Sequence, residues 1–193
     1  MPIVHRLTRS PAVLLSCAAL LAAALAAPAA AAPGLRDLNG QPRTIADYTG
    51  HGKWLVVMIW ASDCGVCNTE AHSYVDFYNT HRDQDASVLG ISMDGWAGRA
   101  DAEAFIRRHH VTFPSLIGEP EAVAELFGEL TGRPWFGTPT FLIYDPSGEL
   151  RVQQVGAVPV KLIEQYIRSH SKTAPDRARA PGGGPGGGLA MAH

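Results

Sequence analysis

The sequence has no excess of positive charge, no internal repeat and few cysteines. Among 193 residues, 16 are Lys or Arg and 18 are Asp or Glu, so the formal net charge is −2. This balance gives no indication of binding to a nucleic acid or to an anionic membrane surface. The three cysteines are Cys17, Cys64 and Cys67. Any thiol chemistry therefore depends on these three positions.

No apolar run is long enough to make a comfortable membrane span. The longest, Pro11–Ala27, has 17 residues, whereas a spanning helix needs roughly 20. Arg6 and Arg9 precede this run, and small residues follow it. This order is typical of a secretory signal peptide. We therefore predict that residues 1–32 are a signal peptide cleaved near 26–32, and that only an uncleaved leader would anchor the protein in a membrane.

Export with cleavage of the leader would change the number of cysteines in the protein and the compartment in which it lies. Cys17 would be removed, and the remainder would lie in the periplasm or another exported, disulfide-permissive compartment. Cys64 and Cys67 could then pair only with each other or with a partner protein.

The C-terminal segment has almost no large apolar side chains. It contains two prolines before the run from Gly182 to Gly188. Such a composition cannot bury enough surface to offset the entropy lost on ordering. We predict that residues 174–193 form a disordered tail, which leaves 33–173 as one domain of ordinary size.

A pair of cysteines at C-x-x-C spacing follows an uninterrupted apolar run. Leu55 to Ile59 indicates a strand that is buried on both faces, and Cys64-Gly65-Val66-Cys67 comes shortly afterwards. If a helix begins at Cys64, its sulfur lies over unpaired backbone N–H groups at the positive end of the helix dipole, which favours the thiolate. Cys67, one turn later, could close a disulfide.

Apolar periodicity predicts alternating strands and helices across the domain. Alternation that finishes in an antiparallel hairpin indicates an α/β fold with a mixed central sheet flanked by helices. The predicted strands are 54–60, 88–93, 113–117, 140–144 and 150–155, and the predicted helices are 65–81, 99–110, 119–127 and 159–170. The last helix is expected to face the core through Leu162, Ile163, Tyr166 and Ile167.

The order of these motifs resembles a known family. The C-x-x-C after a strand, Thr138-Pro139 directly before another strand, and a closing hairpin and helix resemble the thioredoxin fold. The segments from Val88 to Asp94 and from Thr112 to Leu116 resemble the insertion of the TlpA-like branch between the first active-site helix and the cis-proline strand. That branch comprises exported thiol-disulfide oxidoreductases of the ResA and CcmG types. The resemblance covers roughly residues 35–168.

The resemblance implies roles for eight residues. Cys64 would be the nucleophile, Cys67 the resolving thiol and Pro139 a cis-proline that faces them. Glu70 matches an acid that these proteins often carry, with a role in proton transfer. The residues that would contact the substrate are Trp60, as an aromatic platform, Gly65, Val66 and Thr138.

Three residues depart from the pattern of the relatives. Val66 replaces a proline that is common in the C-x-x-C dipeptide, and His72 replaces the proline that usually kinks the first helix. Met58 stands where many thioredoxins have a buried acid. We expect the reduction potential to differ from that of the relatives, because it depends on the stability of the thiolate.

The resemblance also implies the activity and the partners. We expect an enzyme that exchanges disulfides with other exported proteins, as a reductant in a process such as cytochrome c or copper-oxidase maturation, and that is recharged by a membrane electron donor. It would be a monomer with no cofactor beyond the Cys64–Cys67 disulfide, and it would bind no nucleic acid. The chemistry itself requires only a thiolate attack by Cys64 and release by Cys67.

Three alternative interpretations assign other roles to the same cysteines. A purely structural disulfide that closes four residues would contribute roughly 2 kcal/mol to stability in the loop-entropy model. The thiols could instead be Cu(I) ligands of a copper-handling module, whereas zinc would need further ligands. His72, the nearest candidate, lies roughly 140° around the helix from Cys67, so no metal site is predicted. A peroxiredoxin-like peroxidase would carry Pro and Thr where this chain has Val57 and Ala61.

Overall fold

The computed structural model describes residues 34–171, and the predicted signal peptide and tail lie outside them. These residues form a six-stranded mixed sheet with helices on both faces. The strands are β1 (Arg36–Asp37), β2 (Trp54–Trp60), β3 (Ala86–Ser92), β4 (Ser115–Ile117), β5 (Thr140–Tyr144) and β6 (Leu150–Val155). The helices are α1 (Gly65–His81), α2 (Arg99–Arg108), α3 (Pro120–Thr131) and α4 (Val160–Ser171), with short 3-10 turns at Ile45–Asp47 and Trp96–Gly98.

The sheet has β2 near its centre. The strand order is β1-β4-β3-β2-β5-β6. β2 runs parallel to β3 and antiparallel to β5, and the hairpin of β5 and β6 is antiparallel as predicted. All seven residues of β2 are buried, which confirms the central strand inferred from its unbroken apolar run.

Side chains of β2 alternate between two apolar layers because successive residues of a strand point to opposite faces. Met58 and Trp60 belong to the layer formed with α1, α2 and α4. Val57 and Ile59 belong to the layer formed with α3 and the Ile45–Asp47 turn. The sheet is therefore covered on both sides, and its strand ends remain available for a site.

The register of β2 and β5 sets the position of the predicted site. Ile59 pairs with Thr140 in this antiparallel ladder. The residue before β5, Pro139, is therefore next to the end of β2, and the C-x-x-C begins four residues beyond Trp60. Residues separated by about seventy-five positions in the chain thus meet at one end of the central strands.

The periodicity placed most elements well, but it misplaced one side chain of α4. Ile163 and Ile167 are buried, whereas Leu162 is 55% exposed, so the prediction that Leu162 faces the core was wrong. Ile163 and Ile167 lie four positions apart and form the inward stripe of this short helix, and Leu162 lies to one side of that stripe. Within residues 34–171, none of the helices has both the length and the apolar character needed to cross a membrane.

Candidate active site

The two cysteines form a disulfide at the start of α1. Cys64 is the N-cap residue, and Cys67 lies in the first turn. The Cys67 backbone N–H donates to Cys64 Sγ over 3.1 Å. One of the N–H groups left unpaired at a helix start therefore points at the first sulfur, which is the arrangement that stabilises a thiolate at that position.

The two sulfurs differ in access. Cys64 is partly exposed, whereas Cys67 is completely buried at 0% exposure in the layer beneath α1. A partner protein can therefore reach Cys64 only. Cys67 can react with a sulfur that is already bonded to Cys64, and this division suits an attacking thiol followed by a resolving thiol.

The predicted proline faces this end of the sheet in the expected conformation. The Thr138–Pro139 peptide bond is cis, and Pro139 is buried while Thr138 is partly exposed. The Thr140 hydroxyl donates to the Gly137 carbonyl, which ties the loop to the first residue of β5. The structure thus brings Thr138 and Pro139 to the end of the sheet where β2 leads into Cys64.

Asp94 fixes the loop before Cys64. Its carboxylate accepts from the Ser62 backbone N–H at 3.0 Å and from the Ser62 hydroxyl at 2.8 Å. It also accepts from Ser92 Oγ at 2.6 Å. Asp94 therefore joins the ends of the parallel strands β2 and β3. A polar residue two positions after the end of β3 was the only sequence signal for this role.

Trp60 does not form a surface platform for a substrate, so the role predicted for it from the sequence was wrong. Its side chain is 1% exposed, and its ring stacks on Phe105 of α2 with centroids 4.2 Å apart. The alternation along β2 points Trp60 into the helix-covered layer together with Met58, which is also 1% exposed. Both residues belong to the core beneath the site.

Gly65 and Val66 remain available to a partner. Both are exposed, and Val66 keeps 46% of its surface accessible. Phe136, in the loop that leads to Pro139, is 77% exposed. Exposed apolar side chains thus occur in the first turn of α1 and in the loop before Pro139, and such residues are common contacts for protein partners.

Glu70 lies on α1 one turn after Cys67 and is partly exposed. Burial raises the pKa of the neighbouring Tyr74 hydroxyl, and the negative charge of Glu70 raises it further. The Tyr74 hydroxyl donates a hydrogen bond to the Val158 carbonyl over 2.7 Å. A role for Glu70 in proton transfer remains a prediction.

His72 is exposed, and its ring packs edge-on against His109, with centroids 5.5 Å apart. Among residues 34–171 there is no group of three or more His, Cys, Asp or Glu side chains placed to hold a metal ion. A zinc site built on His72 and the cysteines is therefore not found in that part of the chain.

Comparison with known proteins places this arrangement in a family. The model of the AhpC/TSA family matches residues 24–153. The chain is 25% identical over 135 residues to a thiol-disulfide oxidoreductase ResA of Geobacillus thermodenitrificans, covering 70% of this chain and 72% of that protein. It is 28% identical over 131 residues to an alkyl hydroperoxide reductase C of Mycobacterium tuberculosis, covering 65% of each protein.

Solved structures confirm the fold. A putative thioredoxin from Neisseria meningitidis superposes with a TM-score of 0.58 at 20% identity, covering 72% of this chain and 87% of that one. StoA from Bacillus subtilis superposes with a TM-score of 0.52 at 19% identity, covering 70% of this chain and 98% of that one. The predicted thioredoxin-like fold is therefore confirmed. The chain belongs to the AhpC/TSA family, is similar in sequence to thiol-disulfide oxidoreductases named ResA and has a thioredoxin-like fold.

Proposed function

We propose that this protein is an exported thiol-disulfide oxidoreductase that reduces disulfides in other exported proteins through Cys64 and Cys67. Its general class, a thioredoxin-like oxidoreductase, follows from the family and from its relatives. The observation that carries the proposal is the disulfide between a partly exposed Cys64 and a fully buried Cys67 at the start of α1. A purely structural disulfide would not need one accessible sulfur beside a partly exposed Thr138-Pro139 loop.

The reaction transfers two electrons in two exchanges. In the reduced protein, the Cys64 thiolate attacks a partner disulfide and forms a mixed disulfide, and one partner thiolate leaves. The Cys67 thiolate then attacks Cys64 Sγ, which releases the second partner thiolate and forms the disulfide seen in the structure. The partner has become a dithiol. A donor dithiol must reverse these steps to recharge the protein.

Export and the identity of the donor belong to the same proposal. The predicted leader supports export, and proteins named ResA and StoA are among the similar ones. A membrane-bound dithiol is the donor that suits an exported reductant. Mass spectrometry of the protein isolated from its native cells would test the leader, and we expect a mature N-terminus created by cleavage near residues 26–32.

Trapping of partners tests the function directly. In a Cys67→Ser variant the resolving thiol is absent, so the mixed disulfide on Cys64 should accumulate in native cells and can be identified after non-reducing electrophoresis. A Cys64→Ser/Cys67→Ser variant is the matched control. Exported proteins bound only by the single variant would support the proposal, whereas a lack of adducts that depend on Cys64 would contradict it.

Two other activities of the same dithiol need separate measurements. The hydroperoxide reductase relative makes peroxide reduction the second candidate, although Val57 and Ala61 replace its expected Pro and Thr. Peroxide consumption that exceeds the reduction of a protein disulfide would favour that candidate. Cu(I) retained at one equivalent in the presence of glutathione, without turnover of a model disulfide, would favour a copper-handling module.

A further inference from the structure

A chain of side-chain hydrogen bonds links a histidine of α2 to the loop that carries Cys64. His109 lies at the C-terminal end of α2, and its Nε2 is 2.8 Å from Asn68 Oδ1. The Asn68 Nδ2 donates to the Cys64 carbonyl at 2.9 Å and to the Ser62 carbonyl at 3.1 Å. Asn68 therefore bridges His109 and both ends of the Ser62–Cys64 turn.

The bonding pattern fixes the orientation of the amide and the tautomer of the imidazole. Both carbonyls can only accept, so the amide nitrogen of Asn68 must face them and its oxygen must face His109. That oxygen also only accepts, and therefore His109 Nε2 carries a proton and donates it. The direction of this chain of bonds leaves no alternative assignment consistent with all three contacts.

The environment of His109 disfavours its charged form. His109 is 7% exposed, and its ring lies 4.5 Å from the Phe105 ring and 5.5 Å from that of His72. Its Nδ1 is buried without a hydrogen-bond partner in the described part of the chain. Burial lowers the pKa of His109, and the nearby Arg108, His72 and His110 lower it further. A proton on Nδ1 would have no acceptor among residues 34–171.

We infer that His109 is a positioning residue for the nucleophile: it holds Asn68, and through Asn68 it holds the backbone of the Ser62–Cys64 turn so that Cys64 Sγ stays over the start of α1. The inference rests on the proposed dithiol chemistry of Cys64. It goes further by assigning part of the reactivity of that thiol to α2, 45 residues away in the sequence.

The position of the Ser62–Cys64 turn affects Cys64 Sγ through the Cys67 backbone N–H group. That group donates to Cys64 Sγ over 3.1 Å, and the contact requires the Cys64 backbone to stay at the N-cap of α1. Asp94 holds the Ser62 end of the turn, whereas the Asn68 side chain reaches the Cys64 carbonyl as well. Without His109, the Asn68 amide can rotate away from these carbonyls.

A matched set of substitutions in the full chain tests the inference. His109→Leu keeps apolar bulk and removes the donor, while His109→Gln keeps a donor. The measurement is the rate at which iodoacetamide alkylates Cys64 in the reduced protein at pH 6, followed by peptide mass spectrometry. We expect His109→Leu to slow alkylation about threefold, the effect of roughly one net hydrogen bond, and His109→Gln to stay near the wild-type rate.

A double-mutant cycle with Asn68→Ala distinguishes positioning from a general loss of stability. Because both residues act through one path, His109→Leu should slow alkylation no further once Asn68 is replaced. Equal slowing by His109→Leu and His109→Gln, or effects that multiply in the double variant, would overturn the inference. The alkylation rate needs no physiological partner, so failure of the trapping experiment would leave this test intact.

Discussion

Trp60 lies four residues before the nucleophilic sulfur, yet its ring packs inward on Phe105. Its Nε1 has no hydrogen-bond partner among residues 34–171. Most of the contribution of Trp60 to stability therefore comes from apolar contact. Substitution at this position should therefore act on stability before it acts on the contact with a partner.

We expect Trp60→Ala to lower the free energy of unfolding by about 3–5 kcal/mol, the usual cost of emptying a buried aromatic site. Trp60→Phe should cost less, because an apolar ring remains and the buried unpaired N–H is removed. Denaturant unfolding of the oxidised protein measures both. Near-native stability of Trp60→Ala combined with slow disulfide exchange would restore the surface-platform interpretation.

Asp145, in the turn between β5 and β6, is 8% exposed. Burial alone would raise the pKa of its carboxyl. Hydrogen bonds from the Ser147 hydroxyl, from the Glu149 and Ser147 backbone N–H groups and from Arg151 outweigh burial and lower the pKa to about 2. The ionised carboxylate is thus the form that the folded turn stabilises.

This pKa makes stability depend on pH in a predictable direction. Because the folded pKa is lower than the unfolded one, near 3.8, the contribution is fully present above about pH 4 and is lost as the pH falls toward 2. Its size is on the order of 2 kcal/mol. Unfolding titrations of Asp145→Asn should show a weaker dependence on pH between 4 and 2 than the wild type shows, and an unchanged slope would contradict the assignment.

Helices α2 and α3 are each followed by a residue in the left-handed conformation, but the two residues differ in type. Gly132 ends α3 with φ of 67°, and a Cβ added there would meet nothing within 4 Å. His110 follows α2 with φ of 50° and is the only non-glycine residue of the described chain with positive φ. The left-handed conformation is unfavourable for residues with a Cβ.

We expect His110→Gly to raise the free energy of unfolding by about 0.5–1 kcal/mol and Gly132→Ala to lower it by about 1 kcal/mol, because only the backbone penalty changes. His110→Ala is the control, since it removes the exposed imidazole and keeps the Cβ. Thermal or denaturant unfolding reads all three. A gain in His110→Ala equal to that in His110→Gly would assign the effect to the side chain instead.

The sequence was sufficient for elements with strong local signals. The unbroken apolar run gave β2 its observed bounds, and the helical spacing after Cys64 gave α1 its own. The end of α2 was placed two residues late, because a histidine in the left-handed conformation carries no local signal comparable to glycine.

Contacts between distant segments set the limit of sequence reasoning in the site. The C-x-x-C could be recognised from its local spacing, whereas the place of Pro139 opposite it was implied by the resemblance to the thioredoxin fold. The bond between His109 and Asn68 joins residues 41 positions apart, and the inward direction of Trp60 depends on which face α2 covers. Neither property is encoded in the spacing of nearby residues.

The C-terminal segment should be dispensable for both folding and chemistry. Its composition offers little apolar surface to bury, whereas α4 buries Ile163 and Ile167 against the layer beneath α1. We expect a chain that ends at residue 173 to match the full chain in unfolding free energy and in the rate of reduction of insulin by dithiothreitol. A chain that ends at residue 159, which lacks α4, should fail to fold. If the chain that ends at residue 173 were less stable than the full chain, the predicted domain boundary would be contradicted.

The outer strands of the sheet bear on the behaviour of this protein at high concentration. β1 has two residues, and β6, the other outer strand, pairs irregularly with β5 where Ile143 opposes Val152 and Tyr144 opposes Leu150. Arg151 is the extra residue at this bulge, and it is exposed. A short edge, a bulge and an exposed charge each hinder the addition of a strand from a neighbouring molecule. The sheet should therefore resist edge-to-edge aggregation in a crowded compartment.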